Sequence, residues 1–371
     1  MGRLKRIRVA GWKSIKAQTI ELSPLTVVIG ANGAGKSNLL SLVKLLGVLF
    51  SGTAGFRTYV GQAGYADSLL HYGSKKTPAA ELELTFEAPT GEIRYFAHWT
   101  AAAAGMLVFA EERVEQQAAD SIVPDVVDLG AGHSESHLAQ FAEDGNPVAR
   151  AAVDLIRGCR WFHFHDTSEN SPIRQPSQVE ANRFLYSDAG NLAAMLYLLR
   201  KKHPAAYRRI GATVRQMVPG FEDFSLEPSA LNEKQILLNW THQGQEYEFG
   251  PHQLSDGSLR FIALATLLLQ PPEKLPLLIA LDEPELGLHP AALEILAGII
   301  QGASQNCQIL ISTQSTQFLD FFDPEDVVVV NSHTGCSEFA RLSSAELGEW
   351  LEQYTLGEIW EKNIVGGGPY Q

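Results

Sequence analysis

The chain has 371 residues, 45% hydrophobic and 19% charged, an ordinary globular composition with enough apolar material for one large core or two modest ones. A formal net charge of −13 excludes a protein that is basic over its whole surface. Three scattered cysteines, Cys159, Cys307 and Cys336, exclude a disulfide framework or cysteine metal cluster and fit a reducing, cytoplasmic setting.

The longest apolar run, Phe261 to Leu269, is too short to span a bilayer, and the opening residues lack a signal peptide's apolar stretch, so no membrane partner is expected. Charge is uneven. Residues 1–16 carry six basic residues and no acidic one, and residues 150–217 carry eleven basic against five acidic. A polyanion could therefore meet particular faces only.

In chain order, residues 4–10 and 18–29 read as short strands, the second ending in LTVVIG, a β-branched run suited to burial on both faces. A glycine-rich turn follows, and residues 37–50 repeat apolar residues at helical spacing. ELELTFEA, EIRYFAHW and MLVFAEE read as antiparallel strands separated by turn signals at Pro89 and Gly91 and an Ala-rich break at 101–104. From 114 to 159 the pattern is weak and predicts loops with a helix or two. Residues 161–166 read as a strand, and two helices follow, broken at Pro204. FSLEP, QILLNW and EYEFG read as short strands. From Leu254 on, helix, strand LPLLIALD, helix from Pro290, strand CQILIST, helix from Ser315 and strand DVVVVN alternate, which predicts a parallel sheet covered by helices. These patterns divide the chain into 1–113, holding the glycine-rich turn and antiparallel strands; a helical lobe, 114–220; and a C-terminal part, 221–371. No internal repeat, low-complexity tract or sustained heptad pattern is present.

The strongest motif is Gly30-Ala31-Asn32-Gly33-Ala34-Gly35-Lys36-Ser37, followed by Asn38: a complete P-loop between a buried strand and a helix. Its glycines let backbone N–H groups wrap a phosphate at a helix N-terminus. Lys36 supplies the point charge for the β and γ phosphates of ATP, and Ser37 a hydroxyl for Mg²⁺. The second motif is the apolar strand ending in Asp282-Glu283, which puts two carboxylates at the carboxyl edge of the sheet. Asp282 fits an Mg²⁺ ligand, and Glu283 a base for the water that attacks the γ-phosphate. The third is Leu254-Ser255-Asp256-Gly257-Ser258-Leu259-Arg260, a small polar turn opening an apolar helix, for which an ordinary helix start capped by Ser255 is the lesser alternative.

With this third motif the chain resembles the ABC-type ATPases, whose signature LSDGSLR matches, and the motif order resembles the RecF, SMC and OLD group. SLLHYGSKKTP, FHFHDTSENSP and DAGNLAAMLYLL resemble a set of RecF-like predicted ATPases of similar length. The resemblance implies an α/β fold: an ABC-type P-loop NTPase head with a mixed sheet, an antiparallel β subdomain and a helical lobe. It also implies a homodimer on ATP binding, in which Ser255, Asp256 and Gly257 of one subunit meet the nucleotide held by the other, with ELGLHP as the D-loop at the seam. Where the family usually has a γ-phosphate-sensing histidine, this chain has Gln314, which can hydrogen-bond a phosphate or water but carries no charge, so slow turnover is expected. For the family's Q-loop glutamine the nearest candidate is Gln62, read more simply as a loop residue. His163 and His165 read as structural rather than metal-binding.

With 57 residues after Gln314, no appended nuclease domain of the OLD kind is expected, and without heptads no SMC arms. Two functions stay open. One is an ATPase of DNA repair or maintenance whose dimer closure clamps DNA. The other is a nucleotide-gated subunit of a bacterial defence system that controls a separate effector protein. The basic run Arg200, Lys201, Lys202, Arg208, Arg209 and Arg215 could meet nucleic acid or form a solvated helix face.

Overall fold

In the computed structural model, which describes residues 2–49, 55–118, 121 and 123–368, two six-stranded sheets organise the chain. The first is antiparallel and runs in the order Ile15–Glu21, Arg3–Trp12, Ala79–Ala88, Gly91–Ala101, Leu107–Gln117, Asp125–Gly130. Alternation fixes its faces: Leu82, Leu84 and Phe86 are buried with Ile93, Tyr95, Ala97 and Trp99, while the glutamates between them face outward.

The second sheet has the order Cys336–Arg341, Val327–His333, Leu25–Ile29, Gln308–Thr313, Leu278–Asp282, Cys159–Phe162. It is parallel except at its first edge. Its strands feed two cores in alternation. Val28, Leu278, Ala280 and Leu310 join the core shared with the antiparallel sheet and helices Lys36–Leu49 and Pro147–Arg157. Val27, Ile29, Ile279, Leu281, Ile309 and Ile311 face helices Leu192–Lys202, Pro204–Met217, Asp256–Leu268 and Pro290–Ser304. A sheet buried on both faces accounts for the unbroken apolar strands in the sequence. Among the described residues no helix is long and apolar enough to cross a membrane.

Local differences have physical causes. The strand predicted at 161–166 is Cys159–Phe162 instead; beyond it His163 N–H bonds the Ser187 carbonyl at 2.8 Å and the chain leaves the sheet. The helix expected from Ser315 is one turn, Thr316–Leu319, with Ser315 as its cap. The helical pattern at 37–50 is a helix from Lys36 to Leu49, and Phe50 lies outside the described residues. The weak stretch 114–159 holds strand Asp125–Gly130 and helices Leu138–Glu143 and Pro147–Arg157. Small sheets gather Phe221–Ser225, Asn239–His242 and Glu248–Phe249, and Pro228–Ser229, Asn232–Ile236 and Ser177–Gln178.

Candidate nucleotide-binding site

Strand register builds the site. Thr313 pairs with Ile29 and Ser312 with Asp282, so the P-loop that follows Ile29, the Asp282-Glu283 pair and Gln314 lie side by side at the carboxyl edge of the sheet, where ligands of open α/β sheets bind.

The P-loop turns through left-handed Gly33 (φ 78°) and Gly35 (φ 117°). Glycine is required at 35 for a second reason: a Cβ there would lie 2.0 Å from Ser337 Oγ. Ser337 donates to the Ala34 carbonyl and bonds Ser14 Oγ at 2.6 Å. Asn38 Nδ2 donates to the same Ser14 hydroxyl at 2.6 Å. Ser337, on the edge strand of the core sheet, and Ser14, in the turn between Arg3–Trp12 and Ile15–Glu21, thus tie the loop and its helix to both sheets. Lys36 is only 5% exposed, and Nζ donates to the carbonyls of Gly30 (2.6 Å) and Ala31 (3.2 Å). Burial pulls its pKa below the usual lysine value, against the opposing pull of Glu283, Asp282 and Glu285.

Asp282 Oδ1 accepts from Ser312 Oγ, and Oδ2 lies 3.5 Å from Ser37 Oγ. This is the upper limit of a hydrogen bond and leaves a hydroxyl and a carboxylate facing one position. Glu283 takes up φ 43°, a left-handed conformation rare for a side chain of its size. Its N–H bonds the Ser312 carbonyl at 2.9 Å, and its carboxylate accepts from Gln314 Nε2. Glu285 accepts from Thr313 Oγ1. The residue is half-buried, but its Oε2 is enclosed and accepts no hydrogen bond, and desolvation pushes the carboxyl up to about 7. His165 Nε2 donates to the Asp282 carbonyl at 2.9 Å, so this histidine buttresses the strand end; the His163 ring lies tilted against it, centroids 4.2 Å apart.

Ser255 caps helix Asp256–Leu268, accepting from Ser258 N–H at 3.1 Å, and is exposed, as is Asp256. Among the described residues no hydrogen bond or ion pair joins 254–258 to the chain's own P-loop. The turn is held by buried Arg174, which donates to the carbonyls of Thr167 (2.7 Å), Pro251 and Leu254 (3.4 Å) and to Asp256 Oδ1 (2.8 Å). Arg174 and Thr167 keep the Asp256 carboxyl below its usual range, Thr167 contributing most. Gly257 packs on the segment after Glu283: a Cβ there would lie 2.5 Å from the Gly287 carbonyl oxygen. Arg260 ties the same parts together through the Leu286 (2.9 Å) and His165 (2.7 Å) carbonyls. Gln62 ends helix Gly55–Gln62 and is exposed.

Sequence reasoning missed Ser312, Glu285, Arg174 and Ser337. Ser312 and Glu285 stood in motifs already singled out; Arg174 and Ser337 carry no local signal.

A P-loop and an acidic strand end on this two-sheet frame define a P-loop ATPase of the AAA class with the fold of an SMC head. The chain belongs to the family described as "AAA domain, putative AbiEii toxin, Type IV TA system", whose profile matches residues 118–320; a second AAA-domain profile matches residues 6–122. No curated protein matches the chain. Among solved structures it is similar to an SMC head bound to the C-winged helix domain of ScpA (TM-score 0.63, 17% identity, covering 94% of this chain and 99% of that one). It is also similar to an SMC head with an extended coiled coil bound to the C-terminal domain of ScpA, derived from Pyrococcus furiosus (TM-score 0.58, 16% identity, 95% and 99%). A third match is the SMC head domain from Thermotoga maritima (TM-score 0.50, 15% identity, 92% and 99%). At these identities the likeness is one of fold.

Proposed function

We propose that this chain binds MgATP at Gly30–Asn38 and hydrolyses it slowly across a head-to-head homodimer. The observation that carries the reading is the convergence at one sheet edge of Lys36, the facing Ser37 hydroxyl and Asp282 carboxylate, and a Glu283 carboxylate held by Gln314. The residues fit the substrate and its metal. The loop presents a buried ammonium and two left-handed glycines, and Ser37 and Asp282 supply the hard oxygens magnesium prefers. Bound there, Mg²⁺ supplies charge neutralisation at the β and γ phosphates. Glu283 orients the attacking water and accepts its proton, and Gln314 holds that carboxylate in place. The partner subunit's signature turn completes the site, because an exposed helix N-terminus is a ready anion contact.

Of the two outputs the sequence leaves open, a DNA clamp and control of an effector, the second is favoured by the family description, which names a type IV toxin–antitoxin setting. Of the basic run, Arg200 bonds Leu226 O and Glu227, Arg209 bonds Leu269 O and Arg215 bonds Glu222 O, while Lys201, Lys202 and Arg208 are exposed. Calorimetry on Lys36→Ala tests the reading. Loss of the buried cation should weaken ATP binding by about tenfold or more; unchanged affinity would refute it. Tight DNA binding that falls steeply with salt would return the DNA reading to first place.

A further inference from the structure

The basic stretch at 150–217 finds a use at the opposite end of the core sheet. A cleft of about 950 Å³ opens at the amino ends of strands Cys159–Phe162 and Leu278–Asp282, beside the last turns of helix Lys36–Leu49. The P-loop and Asp282 lie at the carboxyl ends of these parallel strands, so the cleft is separate from the site described above. Five cations line it, Lys44, Arg157, Arg160, Arg183 and Lys274, against two carboxylates, Asp154 and Glu273. Among the described residues none of the five cations is in an ion pair, whereas Glu273 faces His203 at 3.6 Å. Arg160 is pulled below the usual arginine range, first by burial and then by the charge of Arg183, which is the condition of two cations lacking a shared anion.

Three further features narrow the ligand. The exposed rings of Phe184 (39%) and Tyr186 (43%) line the cleft; Arg160 stacks over Phe184 at 3.9 Å, which orders its guanidinium, and Tyr186, tilted against Phe184 with ring centroids 6.0 Å apart, keeps exposed ring surface as a platform. Gln270, only 3% exposed, also lines the cleft. Its Nε2 donates to Leu267 O at 3.0 Å, but its enclosed Oε1 accepts nothing, and a buried unmet acceptor calls for a donor from a ligand. Unpaired cations for a phosphate, an aromatic platform for a base and a deep acceptor for an exocyclic amine or hydroxyl are the recognition set of a nucleotide. We propose that this cleft is a second nucleotide site, which takes a nucleoside phosphate with its base against Tyr186 and its phosphate between Arg157, Arg160 and Arg183.

Equilibrium dialysis of the full chain against ATP and AMP tests this independently of the P-loop. Wild type should take up two ATP per chain at saturation. Lys36→Ala should retain one, and Arg160→Gln/Arg183→Gln should retain the other. AMP should bind Lys36→Ala, and adding either the arginine pair of changes or Tyr186→Ala, an exposed position that spares the fold, should weaken it at least about tenfold. If wild type takes one ATP, lost with Lys36→Ala and kept in the cleft variants, the second site is refuted. If that one is kept in Lys36→Ala and lost in the cleft variants, the cleft stands and the P-loop reading fails. A 5′-phosphorylated oligothymidylate that binds Lys36→Ala where AMP does not would also overturn the proposal and assign the cleft to a strand.

Discussion

Glu285→Gln should stabilise the nucleotide-free protein, and by an amount set by pH. The Glu285 carboxyl is enclosed, with one oxygen bonded to Thr313 and the other to nothing, and burial raises its pKa from 4.5 to about 7. Because the native value lies above the unfolded one, the native state holds a proton that the unfolded state has lost. Stability from this group is therefore fully present below pH 4.5 and lost as pH rises through about 7. The full separation corresponds to about 3 kcal/mol at alkaline pH. Glutamine keeps the shape without the ionisation, so the variant should match wild type near pH 4.5 and exceed it by up to about 3 kcal/mol at pH 8, roughly 4 °C in Tm for a chain of this length. Thermal unfolding at the two pH values, without nucleotide, reads the difference. A variant equally stable relative to wild type at both would refute the burial of that carboxyl.

Other outcomes follow from the same geometry. Glu283→Gln should keep ATP binding while hydrolysis falls by about a hundredfold, measured by phosphate release; wild-type turnover would move the base elsewhere. Gln314→Leu removes the donor that holds Glu283 and should lower kcat by about tenfold with KM unchanged, and an unaltered kcat would leave Gln314 no role in positioning. Ser255→Arg puts a bulky cation on an exposed turn: ATPase activity should disappear with ATP binding retained, whereas full activity would rule out the contact in trans. In light scattering, Glu283→Gln should gain mass from monomer to dimer on adding MgATP; an unchanged monomer mass would count against closure. Arg174→Ala strips the donors from three buried carbonyls beneath the signature turn and should cost about 2–4 kcal/mol in urea unfolding, and no loss would show that the turn holds without it.

Sequence alone determined the parts whose chemistry is local. The P-loop, the acidic strand end and the capped helix at Ser255 are each written in eight or fewer neighbouring residues, because a phosphate-binding turn needs glycines, a cation and a hydroxyl at fixed spacing. Alternation in ELELTFEA and the solid apolar runs likewise told a one-faced sheet from a two-faced one. Helix Pro147–Arg157, capped by Asn146 and opened by proline, was foreseen only as one of a helix or two within 114–159, because the signals around it are weak. Tertiary structure decided what depends on neighbours far along the chain: that Ser337 crowds Gly35, that Arg174 holds a turn some 80 residues away, and that Arg160, Arg183 and Gln270 share one cleft. The same holds for Glu285, whose charge state is set by enclosure, and enclosure belongs to packing rather than to any pattern of adjacent residues.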